Sequence, residues 1–539
     1  MKNTWRKGTL TVTALDYPDP DIIRVEDTYY MVSTTMHFMP GCEILRSYDL
    51  VNWEHAAFVY DRLDSTPAQA LEDEHNIYGK GMWAASLRYH KGIFYICFAA
   101  NDTHKTYLYR SYSIEGPWHK SQIEGFYHDC SLFFEEDDRV YIIYGNNHIY
   151  LTQLRADLSG PMEGGLHREL VNDEGNLFLG YEGSHFYKIH GKYYLFLIHS
   201  LKDRWKRTQA CFVSDSLTGE FTGGDIFNDD MGYHGQGVAQ GGIVDTPDGQ
   251  WYGMLFQDRG AVGRIPVLVP VKWEHAYPVM GEHGVMPQQI QIPQEKAGYK
   301  YHPLVESDDF KVSKEADRRF YSPYGFKSCW QFNHEPDMRY ITHDCEAGRV
   351  TMTHQKLCRN LLQASNMLTQ RMKYPKCAAE VTVYADKLRS GDYAGLCALQ
   401  GSYGMAAVTR ENDNWYLVMN AMEEGMEDQK QRIHWKSSAG EMAAVRFRVE
   451  ADFTDMKDTA VFYYEKDGKW LQLGTEKKLY FGLDHFCGCR FGLFSYATLE
   501  TGGSSTFADF RYGNYSEPHA KNRCFTAFLL LMWLLRHIN

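Results

Sequence analysis

Hydrophobic positions in the first half of the chain come in pairs of short runs, with a turn between the members of each pair. Five copies of this unit are led by Asp19, Trp83, Asp129, Glu182 and Gln240. Eleven positions after the lead residue stands an aromatic (Tyr30, Phe94, Tyr193, Trp251), and twelve after Asp129 stands Tyr141. The intervening turns include Lys91-Gly92, Asp137-Asp138, Gly191-Lys192 and Asp248-Gly249, so each copy predicts a β-hairpin. Their recurrence at about 45 to 65 residues is the period of propeller blades. A propeller brings equivalent positions of its inner strands together at one axis, so the five lead residues are expected to ring one pocket. A single acidic residue before a strand is ordinarily a surface strand end. Three at one register point instead to a site.

Past the segment 267–273 the repeat stops, and a turn-rich stretch over 281–303 predicts a linker lying on the surface. Beyond it, alternation over 379–384 and 445–449, with further apolar runs over 415–419, 460–464 and 489–494, predicts strands. Their spacing suits a β-sandwich. The expected architecture is all-β: a five-bladed β-propeller over 1–300 and a concanavalin-like β-sandwich over 301–515. A tail over 516–539 contains the apolar run 525–535. That run falls short of the roughly 20 residues a membrane span needs, and no membrane partner is expected.

Among the 539 residues aromatics make up 15%, which suits strands and sugar-stacking surfaces alike. The net charge of -13 argues against nucleic acid as a partner. Twelve cysteines are scattered without a framework, and the nearest pair, Cys487 and Cys489, does not make a zinc spacing. The first repeat begins soon after Met1 with no apolar leader, and with reduced thiols this predicts a cytoplasmic protein.

The three acids have a shared chemistry. Glycosidic hydrolysis needs one carboxylic acid to protonate the leaving oxygen and a second carboxylate on the other side of the sugar. In a five-membered ring Asp19 and Glu182 are not adjacent, so they are expected to face each other with room for a water between them, which favours inversion. Asp129, one blade from Glu182, is expected to raise the pKa of the Glu and keep it protonated. Structural strand caps and a hard-cation site are the competing uses of such a trio.

The chain resembles glycoside hydrolase family 43, and within it the β-xylosidase and α-L-arabinofuranosidase branch. The likeness rests on the stretch from Tyr17 to Gly41, on Ser47 to Trp53, on Gly81-Met-Trp-Ala-Ala, and on the segments opening at Asp129, Glu182 and Gly241. It extends into the second domain around 330–337 and 501–510. The resemblance implies an inverting exo-glycosidase releasing terminal xylose or arabinofuranose from small oligosaccharides. It implies Asp19 as general base, Glu182 as general acid and Asp129 as pKa modulator and orienting residue. Arg264 takes the place of a substrate-binding arginine, and Trp83 and Phe38 match pocket aromatics. Met36 and His37 stand where many relatives have Phe and Glu. His37 and Gln240 complete the expected substrate contacts. No cofactor is required. Some relatives hold calcium near the axis through a fifth-blade histidine, where this chain has Ala239-Gln240 and only His234 nearby, so no metal ligand is assigned. A fructan-cleaving retaining enzyme would carry Asn-Asp-Pro-Asn-like and Arg-Asp-Pro motifs, which are missing. A non-catalytic carbohydrate-binding propeller stays open, as does a homo-oligomer.

Overall fold

The computed structural model describes residues 4–7, 11–293, 295–422, 432–440 and 443–514, so the apolar run 525–535 lies outside the described residues. Each predicted hairpin supplies the two inner strands of a four-stranded antiparallel sheet, and five such sheets follow one another along the chain. Their innermost strands are Asp21–Val25, Ser86–His90, Ser131–Phe134, Glu182–Ile189 and Ile243–Asp245. The described helical turns are all short 3-10 segments.

A ladder of hydrogen bonds between neighbouring inner strands closes the ring. The backbone N–H of Leu87 donates to Asp21 Oδ2 (2.7 Å), that of Leu132 to Ser86 Oγ (3.0 Å) and that of Phe186 to Ser131 Oγ (3.1 Å). Ile243 N–H donates to the Tyr187 hydroxyl (3.0 Å), and Gly242 N–H to Pro20 O (3.1 Å). This ladder corrects the register expected from sequence. Counting back two residues from its equivalent rungs gives 19, 84, 129, 183 and 240, so Trp83 and Glu182 sit one residue early. A bulge between Glu182 and His185 accounts for the shift in blade four.

An ionic network ties four blades together below these positions. Arg88 reaches Asp21 Oδ2 and Ser131 Oγ, each at 2.6 Å, and Asp21 Oδ1 lies 3.0 Å from His185 Nδ1. Burial opposes ionisation of Asp21, but Arg88 and His185 more than offset it and hold the carboxyl below the usual range. His234 is an exposed loop residue against the Tyr233 ring.

The second domain packs a seven-stranded on an eight-stranded antiparallel sheet. All five strands expected there are present, as Lys376–Tyr384, Asn414–Ala421, Ala444–Asp452, Thr459–Lys466 and Arg490–Ala497. Inward residues of the two sheets, among them Val381, Leu396, Phe447, Phe462 and Phe507, form the core between them.

Two features blur the boundary expected at residue 300. The short strand Phe38–Met39, from a loop of blade one, is the edge of the eight-stranded sheet and pairs with Gln331–Asn333. The connection 281–303 is no plain linker, since Gln289–Ile292 pairs with Thr4–Lys7 and buries Ile290 and Ile292 against blade one. Arg371 locks the seam, donating to Asp16 O (2.9 Å) and pairing with buried Glu43 (2.8 Å).

Candidate active site

In four of the five blades the chain turns sharply at the inner strand's start, and the backbone shows how. Asp19, Asp129 and Gln240 adopt left-handed φ values of 53°, 48° and 57°, and in blade four the same duty falls on Gly183 at 64°. Asp tolerates this conformation better than most residues, while glycine takes it without strain. Glu182 is thereby presented by the bulged residue next to a glycine, and a Cβ at Gly183 would meet the Gln240 side chain at 2.7 Å. Gln240 is buried against blade four, and its backbone N–H donates to Gln209 Oε1 (2.7 Å).

Asp19 is held from two sides. Arg264 Nη1 lies 3.0 Å from its Oδ1, and the Thr34 hydroxyl donates to its Oδ2 at 2.6 Å. Arg264 is only 2% exposed, which excludes an ordinary surface ion pair. Asp16 fixes the arginine's strand by accepting from Arg264 N–H (2.7 Å), and with its other oxygen accepts from Gly488 N–H (2.7 Å) of the sandwich. The sandwich thus reaches the site. Phe486 stacks 4.3 Å beneath the Arg264 guanidinium, accepts from Nη2 through its carbonyl (3.2 Å), and faces Trp83 at 5.5 Å.

Glu182 is more open, with 19% of its side chain exposed. Asn146 donates to its Oε2 at 2.7 Å, and His128 Nε2 lies 3.4 Å from the same oxygen. His128 also stands 3.7 Å from Asp129, which places Asp129 beside Glu182 as its blade position requires. Burial pushes Asp129 up to about 7, with Glu182 and Asp19 adding to the effect and His128 and Arg264 opposing it. Like-charge repulsion, expected to act on the Glu, is therefore seen at Asp129, the more buried carboxyl. Asp129, then Glu182, raises His128 to about 9 against the effect of burial. Arg207 is pulled down to about 10 by burial and the charge of Arg264, while Glu182 and Asp19 attract it. It pairs with Asp258 at the pocket rim.

Trp83 joins this group, its ring 6.0 Å from His128. Phe38 and His37 do not. Phe38 is 1% exposed, with the Arg490 guanidinium 3.4 Å from its ring centroid and the His37 ring at 4.3 Å. The strand it shares with the sandwich turns both residues into the seam, where they back the wall formed by Trp83 and Phe486. Thr34, His128, Asn146, Arg207 and Phe486 were not singled out by the sequence. None leads a repeat, and only Cys487, next to Phe486, had drawn attention.

Acids from two non-adjacent blades, each oriented by its own partners and flanked by aromatics, supply the pair of carboxyl groups that a glycoside hydrolase needs. The chain belongs to glycosyl hydrolases family 43: the profile so described matches residues 9–276, and that of a β-xylosidase C-terminal concanavalin A-like domain matches 319–516. It is 27% identical to a β-xylosidase of Formosa agariphila, over 94% of this chain and 90% of the relative. It is 25% identical to a non-reducing end α-L-arabinofuranosidase of Bacteroides ovatus over 51% of this chain and 54% of the relative. A solved structure described as a bifunctional GH43-CE of Bacteroides eggerthii superposes with TM-score 0.87 at 38% identity, covering 95% of this chain. This chain spans 64% of that protein's length.

Proposed function

We propose that the protein is an inverting, exo-acting glycosidase that removes terminal xylose or arabinofuranose from small oligosaccharides. The observation that carries this reading is the presentation of Asp19 and Glu182 by blades one and four, with blade five between them on one side and blades two and three on the other. In this reading Asp19 is the base to water, with Arg264 and Thr34 fixing its two oxygens. Glu182, reached by solvent and aimed by Asn146, protonates the leaving oxygen. Asp129 and His128 form a charge pair beside the acid that sets the local field during proton transfer. Phe486 and Trp83 wall the pocket, so only a chain end enters. The names of the relatives, β-xylosidases and α-L-arabinofuranosidases, support the choice of a pentose.

Turnover of aryl β-xyloside and aryl α-L-arabinofuranoside by the wild type, Asp19→Ala and Glu182→Ala tests the roles. At least one substrate is expected to be cleaved, with kcat reduced about a thousandfold or more in both variants. Proton NMR of the first-formed sugar should show the inverted anomer. Undiminished turnover in either variant, or a retained anomer, refutes the assignment.

A further inference from the structure

Behind the wall of the pocket, where a loop of blade one meets the sandwich, three potential metal ligands converge. His37, His485 and Cys487 each offer a donor atom, and these atoms lie within 4.8 Å of one another. All three residues are at least 95% buried. Among the described residues His485 Nε2 has no hydrogen-bond partner, and the His37 ring is served by one side chain at most. His334, also fully buried, has its ring 4.8 Å from that of His37; its Nε2 accepts from Ile77 N–H, but its Nδ1 is unpartnered. The Asn333 side chain hydrogen-bonds to the His37 ring.

Packing alone does not explain this cluster. A buried polar atom without a partner costs about 1–3 kcal/mol, and such atoms are few in native proteins. Among the described residues His485 Nε2 and His334 Nδ1 are without partners, beside a His37 ring that Asn333 alone serves. Aromatic contacts account for part of the arrangement, since Tyr78 stacks on His485 at 4.2 Å. They leave those two nitrogens unsatisfied.

We propose that His37, His485 and Cys487 bind a zinc ion that clamps the sandwich onto the propeller. Two imidazoles and a thiolate select a borderline-soft ion, whereas calcium and magnesium require oxygen ligands. Four-coordinate zinc at about 2.0–2.1 Å from nitrogen and about 2.3 Å from sulfur suits a group this compact. The fourth position falls to a water or to His334 Nδ1. Neutral imidazole is the form that ligates. On binding, the S–H proton of Cys487 leaves to solvent and the sulfur lone pair bonds the metal, so thiol plus Zn²⁺ gives Zn–thiolate plus H⁺.

The position gives the ion a task. His485 and Cys487 flank Phe486, which touches Arg264 and Trp83 in the pocket, and His37 precedes the strand shared by both domains. One ion would therefore fix the aromatic wall from behind without touching substrate. The second convergent trio, His128, Asp129 and Glu182, belongs to the site already described.

Metal analysis of the full-length protein tests this after incubation with equimolar zinc and gel filtration, alongside Cys487→Ser and His37→Gln. One zinc per wild-type chain is expected, with affinity reduced at least ten- to a hundredfold in each variant. Cobalt substitution should give a thiolate-to-metal charge-transfer band that Cys487→Ser lacks. If a variant fails to fold, chelation of the wild type provides the second arm: its melting temperature should fall and recover on adding zinc. Retention of less than about a tenth of an equivalent by the wild type, or equal zinc in wild type and both variants, overturns the proposal. Metal content is read independently of turnover, so this result and the glycosidase reading fail separately.

Discussion

Replacing Asp129 with Asn should make the protein more stable while depriving it of activity, and the gain should follow pH. Burial, helped by Glu182 and Asp19, moves this carboxyl from an ordinary 3.8 to about 7 in the folded state. For an acid raised on folding, the stabilising contribution is complete below the unfolded pKa and is lost as pH rises through the folded one. The gap of about 3 pH units, at about 1.4 kcal/mol each, means that Asp129 costs about 4 kcal/mol at pH 8, where it is ionised in the folded protein, and about 2 kcal/mol at pH 5, where it must take up a proton on folding. Asn has nearly the shape of the protonated acid and tolerates the left-handed backbone at this position, so Asp129→Asn should recover most of that cost. With an unfolding entropy of about 2.1 cal/mol/K per residue, the gain at pH 8 corresponds to a melting temperature about 3–4 °C higher if both domains unfold together, as their shared strand favours. Thermal melts at pH 5 and pH 8 read the difference, and kcat on the aryl glycosides should fall about a hundredfold. His128, losing the main cause of its raised pKa, should titrate lower by NMR. A variant no more stable than wild type at pH 8, or a gain equal at both pH values, refutes the electrostatic argument.

Arg88→Met should leave the buried Asp21 carboxylate with His185 as its one remaining ion-pair partner among the described residues, costing about 3–5 kcal/mol by urea denaturation; adding Asp21→Asn should restore part of it, and a silent Arg88→Met would show that the axial network carries no stability. Gly488→Ala places a Cβ 2.1 Å from Val262 O and 2.8 Å from the Asp16 side chain. It should displace Phe486 and raise KM several-fold while lowering the melting temperature, and wild-type values for both would contradict the role given to that contact.

The repeat of apolar runs determined the blade count, and the alternation beyond it the all-β sandwich, because strand patterning is local and a hairpin's register follows from its own turn. It also brought Asp19, Asp129 and Glu182 to one axis, since symmetry converts equivalent sequence positions into neighbours in space. The one-residue offset of Glu182 escaped that logic because a bulge inserts a residue without altering the spacing from lead residue to aromatic. His128, Asn146, Arg207 and Thr34 sit in loops or at strand ends with no period to mark them. Phe38 matched the family pattern and His37 departed from it, but both were drawn into the seam by the edge strand of the second domain. Phe486 and Cys487 meet the first blades from more than 400 residues away along the chain. Such encounters are decided by how the two domains pack and are invisible to any local pattern. The sequence alone therefore determined the ring and the acids on it; only the packed tertiary structure decided which groups hold those acids, which wall closes on them, and what stands behind that wall.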